Sequence, residues 1–137
     1  MFDVQAFTNG AGQFLLAFAA AGLLTLAFQY IYQLVTPHDE RVLIRQGNTA
    51  AAITLGGALL GFAIPVATSL TQARGLLEFA AWAVLAGVIQ ILTFLLARRL
   101  AVGDLHGRLE RGETAVAVYL AAVSVAVGLL NAASMTD

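Results

Sequence analysis

The chain has 137 residues, of which 60% are hydrophobic and 11% charged, and its net charge at pH 7 is −1. A soluble domain carries roughly 25% charged residues, so this composition leaves too little polar surface to face water on all sides and puts the chain in a bilayer. The charge gives no basic footprint for nucleic acid. The absence of lysine removes a polybasic lipid-binding tail, and the absence of cysteine removes disulfides, thiolate nucleophiles and sulfur metal ligands.

Residues 1–12 are fairly polar and open on Met1-Phe2-Asp3. A secretory leader wants a positive start, so the apolar run that follows is expected to be retained. That run, residues 13–35, would reach ~34 Å as a helix, enough for a ~30 Å hydrocarbon core. Three more uncharged runs follow at residues 49–70, 79–97 and 114–133. Four such runs predict four membrane helices.

The connections differ in character. In the first, Thr36 suits an N-cap, Pro37 a first helical position, and Gly47 a stop, which predicts a short surface helix over residues 37–46. The second, residues 71–78, reads as a tight turn with Arg74 and Gly75. The third repeats the plan of the first: Asp104 as cap, Leu105 and Leu109 four apart, and Gly112 as stop, over residues 104–111. The first and third connections hold Arg41, Arg45, Arg98, Arg99, Arg108 and Arg111, whereas the opposite side holds Arg74. Arginine excess marks the cytoplasmic side, so both termini are expected outside. Tyr30 and Tyr32 are then expected at the inner interface and Trp82 near the outer one.

The chain also matches itself. Asp39, Gly47, Thr49 and Ala50 return as Asp104, Gly112, Thr114 and Ala115, each 65 positions later. The reading is one transmembrane domain over 1–137, built from two tandem two-helix repeats at about 10–70 and 75–135. Asp39, Ile44, the run Gly47-Asn48-Thr49-Ala50-Ala51-Ala52 and the run Gly56-Gly57-Ala58-Leu59-Leu60-Gly61 resemble the bacterial inner-membrane family called domain of unknown function 350, in two tandem copies. The resemblance implies four crossings and an inner-membrane location, and no activity. The second copy departs from the pattern: Glu113 stands for Asn48, and Ala121 and Ala122 stand for the glycine pair.

Three sets of residues could matter. Asn48 and Glu113 open the second and fourth helices, where capping of free N–H groups competes with a polar ring at the helix mouths. Gly57 and Gly61, with Ser124 and Gly128, form small-residue rows for close helix packing, within the chain or with another copy. Thr25 and Gln29 on the first helix, and Gln90 and Thr93 on the third, each share a face. Interhelical hydrogen bonding and a polar lining are both open for them. Pro65 should kink the second helix near Gly61-Phe62.

No Asp, Glu, Lys, Arg or His lies within the apolar runs, so a proton relay lacks its usual parts. His38, Asp39 and Glu40 are adjacent and do not converge on a metal. No catalytic motif, cofactor site or metal site is expected, and the chain reads as a non-enzyme. Expected partners are the lipid bilayer, further copies of the chain in a homo-oligomer, and a cytoplasmic or peripheral protein at the two surface helices, with no nucleic acid. Two functions remain: an oligomeric scaffold or partner-binding subunit in envelope maintenance or stress response, and a passive pore or transporter for a small ion or solute.

Overall fold

A computed structural model describes residues 1–36 and 40–135, apart from the side chain of residue 101. The protein is an all-α integral membrane protein. Its elements in order are α1 (Val4–Val35), α2 (Glu40–Arg45), α3 (Thr49–Gln72), α4 (Leu76–Ala97), a π-helical turn at Arg98–Val102 that prolongs α4, α5 (Leu105–Glu110) and α6 (Thr114–Ser134). The helices α1, α3, α4 and α6 are each long and apolar enough to cross a membrane. The short helices α2 and α5 join the first crossing to the second and the third to the fourth.

Local chemistry explains the ends. The Asp3 carboxylate accepts hydrogen bonds from the N–H groups of Gln5 at 3.0 Å and Ala6 at 3.2 Å, so α1 starts well before the apolar run does. Thr36, expected to cap the surface helix, instead closes α1: its hydroxyl donates to the Tyr32 carbonyl at 3.0 Å. Pro37, His38 and Asp39 lie outside the described residues, so the expected start of that helix does too. Gly47 and Gly112 have φ of 83° and 72°, the left-handed turn that ends α2 and α5 and that a side chain would strain. Asp104 caps α5 by accepting from the Gly107 N–H at 3.1 Å.

The core runs between α3 and α6. Packing in lipid lacks a hydrophobic push, so it depends on backbones coming close. Gly57 faces Ala121, and a Cβ at that glycine would sit 2.5 Å from the Ala121 Cα. Gly61 faces the Ser124 carbonyl, and Gly128 faces the Gly61 carbonyl in return. The Gly57/Gly61 row is therefore filled by α6 of the same chain, and it is not the face another copy would use. Pro65 is fully buried in α3, which is helical throughout Thr49–Gln72. Having no N–H, Pro65 leaves the Gly61 carbonyl without its helical donor. That carbonyl lies against Gly128, where a Cα–H can approach it.

The helix α1 stands apart. In its apolar window 6% of residues are buried, against 56% in α3. Its attachment is aromatic: Phe28 stacks on Phe62 with ring centroids 4.3 Å apart and planes at 3°, and Tyr32 meets Phe94 edge-on at 4.9 Å. Tyr30 and Trp82 are exposed, as interfacial aromatics are, but Tyr32 is 1% exposed. It belongs to the core because a buried acid, Glu40, engages its hydroxyl.

Candidate functional site

Two polar groupings sit in or at the edge of the bundle. The first joins α4 to α6 within the apolar span. Gln90, 4% exposed, donates from Nε2 to the Ser124 carbonyl at 3.1 Å. Asn131 donates from Nδ2 to the Ala86 carbonyl at 3.1 Å and to Gln90 Oε1 at 3.4 Å. An amide buried among apolar groups must find partners or pay several kcal/mol; here each amide donates to a backbone carbonyl of the facing helix, and Asn131 also donates to Gln90. Gln90 Nε2 also lies 2.7 Å from where a Gly61 Cβ would be. The absent side chain on α3 is what leaves room for the amide.

The other expected lining residues do not join this group. The Thr25 hydroxyl donates back to the Ala21 carbonyl of its own helix at 2.8 Å. Gln29 and Thr93 are half-buried. No described hydrogen bond links Thr25 or Gln29 to Gln90 or Thr93.

The second grouping lies at the arginine-rich end. Asn48 caps α3, its Oδ1 accepting from the Ala51 N–H at 2.9 Å, while its Nδ2 donates to the Leu109 carbonyl at 2.6 Å. One side chain thus starts α3 and holds the end of α5. Leu105 and Leu109 press α5 onto the bundle and are fully buried. Glu113, the counterpart of Asn48, makes no cap hydrogen bond with its side chain. It turns to Arg111 at 3.0 Å and Arg108 at 3.9 Å. Glu is not among the good N-cap residues, its carboxylate cannot donate to a carbonyl as the Asn48 amide does, and two guanidinium groups beside it offer more.

Glu40 was not foreseen as a buried group. It opens α2 at 0% exposure and accepts from the Tyr32 hydroxyl at 3.0 Å. No periodicity marks it, because it sits in a charged connection that reads as surface. Asn131 could have been found: it lies seven residues after Ser124, with Gly128 between, on one face of one helix.

The family model described as Domain of Unknown Function (DUF350) matches residues 6–135 as one unit. The chain belongs to that family. Among curated DUF350 relatives, it is 36% identical over 126 residues to the UPF0719 inner membrane protein YjfL of Escherichia coli K12, covering 89% of this chain and 95% of the relative. It is 26% identical over 119 residues to the UPF0719 transmembrane protein YshE of Bacillus subtilis strain 168, covering 86% and 89%. No solved structure matches the chain. With four apolar helices and these relatives, this DUF350 member is a multi-pass inner-membrane protein.

Proposed function

We propose that the protein is a membrane scaffold or partner-binding subunit that works as a homo-oligomer, with both termini outside and its two halves being tandem copies of one hairpin unit. The observation that carries this reading is the use of the amides between α4 and α6. Gln90 and Asn131 are taken up by each other and by carbonyls of the facing helices. They hold helices together and need no water path. A pore needs a wettable lining along its length. The rival pore reading would have to build that lining in an oligomer from Gln29 and Thr25 of α1, the least packed helix. Among the described residues no side-chain set fills the roles of nucleophile, base and oxyanion donor, which supports a non-enzymatic reading.

The partner surface in this reading is the arginine-rich end. Arg41 and Arg45 on or beside α2, and Arg108 and Arg111 around α5, suit an acidic protein surface. Flux of small ions and solutes through purified protein in liposomes, measured with its oligomeric mass, tests the choice. The scaffold predicts oligomers without flux. Flux abolished by Gln29→Leu would establish the pore. A cysteine at Asn9 that reacts with an impermeant thiol reagent only after lysis would reverse the orientation.

A further inference from the structure

The end of α4 carries an unusual turn. Gly103, with φ of 79°, donates its N–H to the Arg98 carbonyl at 3.0 Å, a bond five residues back along the chain. This π-helical turn widens the helix and changes where successive side chains point. Adjacent residues on an α-helix diverge by about 100°, yet Arg98 and Arg99 both line a single groove of about 660 Å³. Its other walls are apolar: Val35 at the end of α1, and Leu92 and Leu96 on α4. These three are 40%, 61% and 56% exposed, so the groove opens sideways, where lipid lies.

Among the described residues, no ion pair or hydrogen bond engages the guanidinium group of Arg98 or of Arg99. The arginines at α5, by contrast, are met by Glu113. Glu40, at the same end of the bundle, is engaged by the Tyr32 hydroxyl.

We propose that this groove is a binding site for an anionic glycerophospholipid, its phosphodiester held by Arg98 and Arg99 and its acyl chain laid along Val35, Leu92 and Leu96. Three features argue for that occupant. The two guanidinium forks match phosphate oxygens in shape and charge. The charge sits at one end of an apolar wall, as in an amphiphile, and free phosphate would have no use for the wall. Basic pockets beside transmembrane helices on the cytoplasmic side suit anionic headgroups, and the arginine excess puts this end there. A zwitterionic lipid would leave a surplus of positive charge in the groove. The inference stands apart from the scaffold reading, since a pore could carry the same site.

The test is native mass spectrometry of the purified protein titrated with phosphatidylglycerol or with phosphatidylcholine. The expected result is retention of phosphatidylglycerol in preference to phosphatidylcholine. Arg98→Gln/Arg99→Gln should bind phosphatidylglycerol about tenfold more weakly, as the loss of charge-assisted hydrogen bonds implies. Arg74→Gln, at the opposite end, should bind as the parent does. If the double variant fails to fold, Arg99→Gln alone carries the test, since Arg99 is exposed; a several-fold loss supports the site and no loss overturns it. Equal retention of both lipids, or equal loss in Arg74→Gln, overturns the proposal. Displacement of the lipid by millimolar inorganic phosphate also overturns it, because the site would then be one for a soluble anion.

Discussion

The helices α1 and α6 have similar composition and comparable apolar spans, yet they are held by different forces. α6 lies against α3 at glycine distance, with Gly57, Gly61 and Gly128 removing the side chains that would keep the backbones apart. It is then tied to α4 by Gln90 and Asn131. α1 has neither device. Gly10, Gly12 and Gly22 on α1 have no neighbouring atom within 4 Å of where a Cβ would stand, and its polar Thr25 bonds to its own backbone. One stacked and one edge-on aromatic contact and the Tyr32–Glu40 hydrogen bond hold it. In a bilayer, apolar character alone gives a helix no reason to leave lipid for protein. The glycine pattern is informative only where a second helix uses it.

The sharpest way to break this comparison is to fill the α3–α6 contact. Gly61→Leu and Gly128→Leu would drive a side chain into facing backbone, which cannot move as a flexible side-chain tip can. Overpacking costs about 1–3 kcal/mol in a core that can adjust, and this site should reach or exceed the top of that range. The folded fraction in a denaturing-detergent titration reads it. A value near zero would place the contact elsewhere. Next comes Phe28→Ala, which removes the stacking on Phe62. The expected cost is about 1–2 kcal/mol, the packing share of a Phe→Ala change in lipid. It should appear as faster amide exchange confined to α1; exchange rising equally in α6 would mean that α1 is integral to the core.

Gln90→Leu and Asn131→Leu should each cost about 1 kcal/mol, and the double variant less than their sum, because interhelical hydrogen bonds in membranes are worth about that much and these two share partners. Strict additivity would separate them. The same titration measures Asn48→Asp, which keeps the cap on α3 but loses the donor to Leu109, at about 1 kcal/mol or slightly less. The smallest effect is Gly22→Leu on α1. It should fall within about 0.5 kcal/mol, since nothing stands in its way; a cost like that of Gly61→Leu would erase the distinction between the two helices.

Four crossings could be read from four uncharged runs, and the two surface helices from the Asp104, Gly47 and Gly112 punctuation, because these depend on local chemistry alone. The partner of the Gly57/Gly61 row could not. A small-residue row states that something comes close but carries no address, and here the address is Ala121, Ser124 and Gly128. Gln90 was legible as a buried amide, while its partnership with Asn131 depends on how α4 and α6 rotate. Tyr32 reads as an interfacial aromatic until Glu40 is seen folded beneath it. The functional equivalence of Asn48 and Glu113 fails for a reason present in the letters: one side chain donates and the other cannot.

The α3–α6 contact has a consequence for how the protein is made. Residues 57 and 61 leave the ribosome long before residues 121–128, and α6 is synthesised after α3 and α4. Until it arrives, α3 stands in the lipid with its glycine row bare and the Gly61 carbonyl, deprived of a donor by Pro65, facing hydrocarbon. α1 needs no such wait, because it is a complete apolar helix by itself and can anchor the nascent chain. The core closes only once α6 has emerged, so a chain cut short before α6 keeps an uncovered polar notch at mid-membrane, the kind of flaw by which membrane quality control tells an unfinished protein from a mature one.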